Sequence, residues 1–139
     1  MITQNKTAPS SQFYTWNNFR CAYDVLSPIN STPEVVPLLL IHPIGVGLSR
    51  NFWQRFCDEW HKKGNLNSIY NPDLLGCGES DMPHVAYTPI DWAEQLQYFI
   101  KTIVKKPVAL VVQGGLFPVA IELVKEEPDL IAGMILSGP

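Results

Sequence analysis

A chain of 139 residues, 46% hydrophobic and 17% charged with formal net charge -3, suits one globular unit that buries a core. The mild acidity, with no basic cluster beyond Lys105-Lys106, argues against a nucleic-acid or anionic-membrane partner. No apolar run reaches the roughly 20 residues that cross a bilayer, and the widely spaced Cys21, Cys57 and Cys77, without a C-x-x-C pair, point to neither a disulfide framework nor a zinc site.

From these features a reducing cytoplasm is expected, with no metal and no cofactor. Residues 1–12 are polar and lack the apolar centre of a signal peptide; they read as a disordered lead to a single domain over 13–139. Phe13 to Trp16 and Phe19 to Leu26 are aromatic and β-branched runs around Asn17-Asn18, a pair suited to a tight hairpin turn. Ser27 to Pro33 is a loop. Val35 to Ile41 is nearly all apolar, as a strand buried on both faces must be. After His42-Pro43 and a loop with Gly45 and Gly47, Ser49 caps a helix running to about Lys63, with Phe52, Trp53, Phe56 and Trp60 on one face. Gly64, after three basic residues, stops it.

Ser68 to Asp73 is the next short strand, ending in Leu75-Gly76-Cys77-Gly78-Glu79-Ser80. Thr88 caps a helix with Pro89 in its first position and Asp91 completing a capping box. Ala93, Leu96, Ile100, Ile103 and Val104 recur at helical spacing until Pro107. Val108 to Val112 is a buried strand, Gln113-Gly114-Gly115 a sharp turn, Leu116 to about Lys125 a helix, and Ile131 to Leu136 a last strand. Alternation of strand and helix from Val35 onward predicts an open, mostly parallel α/β sheet with right-handed crossovers and flanking helices, preceded by a β-hairpin.

Three segments carry a resemblance. Leu38-Leu39-Leu40-Ile41-His42-Pro43-Ile44-Gly45 is a strand followed by a loop. Asn71-Pro72-Asp73-Leu74-Leu75-Gly76-Cys77-Gly78-Glu79-Ser80-Asp81 holds a D-x-x-G-x-G-x-S-D stretch. Val108 to Val124 is a strand, a glycine turn and a helix. In order and spacing these resemble the N-terminal half of the α/β-hydrolase fold family, over nearly the whole chain after residue 12, with the second segment the most specific. The resemblance implies a sheet of usually eight strands, of which about six have counterparts here, and a catalytic acid and histidine beyond them. It also implies small ester-like, amide, epoxide or haloalkane substrates.

The family's nucleophile stands at the centre of G-x-S-x-G, on a strained strand-to-helix turn. Aligned here, that pattern falls on Val112-Gln113-Gly114-Gly115-Leu116, so Gly114 takes the nucleophile position and brings no attacking atom. A glycine there is expected to keep the elbow's positive φ without steric cost; a plain glycine turn is the simpler reading, and it too predicts no nucleophile. Leu116 and Phe117 stand where small residues usually follow. By resemblance, the Ile44 and Gly115 amides are the candidate oxyanion donors, weighed against ordinary loop amides. His42, Asp73 and Gln113 are candidate pocket residues. For His42 a role in orienting the loop is favoured over that of a base, and for Asp73 a turn-capping role over a cleft-facing one.

His61 and His84 read as a helix-end and a loop residue. Ser80 and Asp81 read as a hydrogen-bonding turn, because no Lys-Ser/Thr and no helix follow as in a phosphate loop. Cys77 and Ser137 are off-pattern as nucleophiles. If the polypeptide stops at Pro139, the uncharged strand Ile131 to Leu136 becomes a sheet edge open to a partner chain or to self-association. Three functions follow: a hydrolase-family protein that is catalytically incomplete in this chain, a non-catalytic binder of a small apolar ligand, or a gene fragment without function.

Overall fold

The computed structural model describes residues 11–138. The first hairpin pairs β1 (Gln12–Trp16) with β2 (Phe19–Leu26) antiparallel. Its turn works as the asparagines suggest, with φ of 50° at Asn17 and 66° at Asn18, the left-handed values that a two-residue hairpin loop requires. Of the lead expected over 1–12, residues 1–10 lie outside the described residues. Gln12 is a strand residue paired with Tyr23, a correction to the expected boundary.

β3 (Leu38–Ile41), β4 (Ile69–Pro72), β5 (Val108–Gln113) and β6 (Ile131–Ser137) complete a mixed six-stranded sheet of order β1-β2-β4-β3-β5-β6. β2 meets β4 antiparallel, whereas β4, β3, β5 and β6 run parallel to one another. β3 begins three residues later than the apolar run suggests. Val35 closes a turn onto the Thr32 carbonyl at 3.1 Å, and Pro37 has no N–H to give a ladder.

Alternation along each strand divides the core in two. Leu39 and Ile41 of β3 and Val108, Leu110 and Val112 of β5 face the larger cluster. That cluster is built on α2 (Pro89–Phe99) and α3 (Phe117–Glu126). Leu38, Leu40 and Val111 face the smaller one, with Trp53 and with Cys57 of α1 (Gln54–Lys62). Phe99 is fully buried, 5.3, 5.1 and 6.1 Å from the rings of Tyr14, Tyr23 and Tyr70.

The helix expected from Ser49 opens instead with a 3-10 turn over Arg50–Trp53, capped by the Ser49 hydroxyl, which accepts the Asn51 N–H at 3.2 Å. Phe52 is left 44% exposed, outside the apolar face assigned to it, and Cys57 takes an inward position. Gly64 ends the helix at φ 87°. The Thr88 amide donates to Asp91 at 2.7 Å, as the capping pattern predicts. α2 runs on into a wide turn over Ile100–Val104 that stops at Lys105, φ 66°.

β1 and β6 are the two edges of the sheet. In β6, Ile131 and Met134 pack in part against the larger cluster, whereas Ile135 and Leu136 are 47% and 55% exposed.

Candidate functional site

β3, β4 and β5 all end at one side of the sheet. The chain passes from β3 to β4 on one flank and returns to place β5 on the other. A crevice forms outside the carboxyl ends of strands at such a reversal.

The loop after β4 has the densest polar network. Asp73 is fully buried. Its carboxylate accepts the Arg50 amide and the Glu79 amide, both at 2.8 Å, and pairs with the Arg50 guanidinium. Its carbonyl accepts the Ser80 hydroxyl at 2.9 Å, and Ser80 in turn accepts the Ala22 amide at 2.9 Å. Asp81 accepts the Arg20 amide at 2.8 Å. Gln95, fully buried on α2, accepts the Leu75 amide at 2.8 Å and donates to the Tyr14 hydroxyl at 3.1 Å. Gly78, at φ 53°, has no room for a side chain: a Cβ there would stand 2.3 Å from the Asp73 carboxylate. Asp73 is therefore the knot of the loop and lines neither cavity described below.

His42 is likewise fully buried and absent from the cavity walls. The Leu74 amide donates to Nε2 at 3.0 Å, so the proton is on Nδ1, which donates to the Pro43 carbonyl at 2.8 Å. Burial pushes the imidazole below its usual 6.5. Both nitrogens are committed, and the ring links the end of β3 to the loop after β4. The imidazole thus ties two loops together, which suits a loop-orienting role. His61 Nε2 lies 2.7 Å from the Asn67 carbonyl, and His84 is exposed.

After β5 the chain turns through Gly114–Leu116 in 3-10 form. Gly114 is not among the residues with positive φ, so the strained elbow conformation expected there is absent. Without a side chain to be thrust forward, strand and helix join through an ordinary tight turn. The Gly115 amide is engaged by the Gln113 side chain, which accepts it at 2.9 Å. Leu116 is buried and Phe117 is 37% exposed.

Two cavities open on this side. The smaller, about 290 Å³, brings together Ile44, Gln113 and Gly115 with Trp92, Leu116 and Val119. Three of the residues singled out from sequence therefore meet there. The larger, about 510 Å³, lies between the loop Ile44 to Ser49 and the loop Gly76 to Gly78, with Met82, Tyr87 and Trp92 completing its apolar wall. Trp92 donates to the Leu75 carbonyl at 2.9 Å and meets Tyr87 edge to face at 5.6 Å. Gly76, at φ 87°, lets the Tyr87 hydroxyl lie where a Cβ would be. Cys77 borders this cavity as a thiol pushed up to about 11 by burial, far from the thiolate a nucleophile needs. Among the described residues no group of three or more His, Cys, Asp or Glu could hold a metal ion, and no helix is long and apolar enough to cross a membrane.

The frame is shared with known enzymes. A serine hydrolase involved in carbazole degradation superposes with TM-score 0.79 at 18% identity, over 95% of this chain and 49% of that one. An alpha/beta hydrolase enzyme from a Medee basin deep-sea metagenome library gives 0.76 at 15% identity, over 90% and 43%. The chain has the α/β-hydrolase fold. Among curated proteins, a proline iminopeptidase of Lactobacillus helveticus is 30% identical over 114 residues, 78% of this chain and 37% of the relative. The chain thus spans little more than a third of that relative's length. No protein-family model matches the sequence.

Arg50 is the functional-side residue that sequence reading missed. It is 7% exposed, bonded through Nε to Asp24 at 2.9 Å and through Nη2 to Glu79 at 2.6 Å. Burial opposes its charge, but hydrogen bonds to Asp24 and Glu79 and the Asp73 carboxylate outweigh it and hold its pKa above the ordinary guanidinium value. Its place just after a loop gave no periodic signal. Only the return of the chain through Asp73 supplies its partners.

Proposed function

We propose that this chain is an α/β-hydrolase protein in which the catalytic centre is incomplete, with Gly114 in the position of the nucleophile. The observation that carries the reading is the turn after β5. Its apex has no side chain, its φ is not the strained one, and its Gly115 amide already receives the Gln113 side-chain oxygen at 2.9 Å. A carbonyl oxygen entering there meets an occupied donor, although Ile44 and Gly115 border one cavity as an oxyanion pair would. Ester-like or related small substrates belong to the family, and activity of a longer protein that contains this chain would need an acid, a base and a nucleophile from elsewhere.

The second reading, a non-catalytic binder of a small apolar ligand, is favoured by the larger cavity. Its roughly 510 Å³ falls within the size of ordinary ligand sites, and its walls are mainly apolar. Three free, buried cysteines support a reducing, cytoplasmic setting.

The experiment uses the purified chain. Hydrolysis of p-nitrophenyl acetate is expected at the buffer rate, both for the unmodified chain and for Gly114→Ser, which restores an oxygen but no base. N-phenyl-1-naphthylamine, an uncharged apolar fluorophore, is expected to bind saturably. Turnover by the unmodified chain well above buffer overturns the incomplete-site reading, and absence of saturable binding overturns the binder reading.

A further inference from the structure

The loops that wall the larger cavity are tied together at both ends. At one end His42, which precedes the first loop, accepts the amide of Leu74, which precedes the second, at 3.0 Å. At the other end Arg50, the residue after the wall residue Ser49, reaches Glu79, the residue after the wall residue Gly78, at 2.6 Å. Asp73 holds both closing residues, accepting the Arg50 and Glu79 amides at 2.8 Å each. Asp24 at 2.9 Å, and Asn71, which donates to the Arg50 carbonyl at 3.0 Å, fix Arg50 to the sheet. The stretches between these ties include Ile44 and Val46, 39% and 106% exposed, with little packing of their own.

The geometry points to Arg50 as a positioning residue: its guanidinium, shared between Asp73 and Glu79, sets the separation of the two loops and hence the width of the apolar cavity. Only the ligand-binding part of this inference rests on the reading of that cavity as a binding site. A planar guanidinium suits the task, because its rigid fork meets carboxylates on different segments at fixed angles, which a lysine ammonium cannot do. The Glu79 side chain is 55% exposed, so Glu79→Gln weakens the tie without stranding a buried charge.

Amide hydrogen exchange on the ligand-free chain decides the point. Glu79→Gln is expected to speed exchange at residues 45–48 and 76–78 together, by about two- to five-fold, the scale of an exposed ion pair, with β3 and β5 unchanged. Arg50→Lys is expected to give a larger rise in the same two segments. Affinity for N-phenyl-1-naphthylamine is expected to fall in the same order, beyond any loss of folded fraction. Parent-like exchange in both loops for both variants overturns the inference, as does a rise spread evenly over the sheet, whatever the fluorophore does. Failure of the unmodified chain to bind the fluorophore would instead count against the binder reading alone.

Discussion

The loop after β4 and the turn after β5 leave the same side of one sheet and differ in almost every respect. The first is held by Asp73, Ser80 and Gln95, all buried and hydrogen-bonded. In the second, the Gln113 side chain accepts the Gly115 amide. The first resembles a scaffold, with polar groups spent inward on backbone and on Arg50. The second carries Gly114, the position where the proposed reading puts the missing nucleophile. The difference teaches that two connections on one side of a sheet can be held in place by quite different sets of residues.

The largest test of the contrast removes the centre of the anchored region. Arg50→Met strands the buried Asp73 carboxylate and should lower stability by about 3–5 kcal/mol in urea unfolding. A loss below about 1 kcal/mol would mean that Asp73 is held by its amide donors alone. Next come paired glycines. Gly78→Ala combines a φ of 53° with a Cβ 2.3 Å from Asp73 and should cost at least about 2 kcal/mol. Gly115→Ala meets only the Gln113 oxygen at 3.3 Å and should stay within about 0.5 kcal/mol. Equal effects would erase the distinction between the two regions.

A further set of tests concerns pH. His42 in the anchored region titrates below 6.5 when folded. The unfolded chain therefore takes up that proton first, and the stability is complete above about 6.5 and declines as pH falls. On the alkaline side, burial holds Cys21, Cys57 and Cys77 at about 11, 12 and 11 against 9.0. The unfolded chain ionises first, so stability should also decline as pH rises above about 9. Urea midpoints from pH 5.5 to 10 check both limbs, and a flat profile would contradict the buried placement of these groups.

The order of elements, the hairpin turn at Asn17-Asn18, the capping of α2 at Thr88 and the lack of a nucleophile at Gly114 were all legible in the chain. Each depends on residues within a few positions of one another, where periodicity, capping and turn chemistry act. The strand order, the role of Arg50 and the relaxed φ of Gly114 were not. Arg50 acquires its meaning from Asp24, Asp73 and Glu79, which are 26, 23 and 29 residues away. Gly114 is compatible with several φ values, and neighbouring packing selects one. Local sequence thus determined which segments form strands, helices and glycine turns. Tertiary structure alone decided which polar side chains are buried together, because a charge finds its partner only when distant segments have folded against each other.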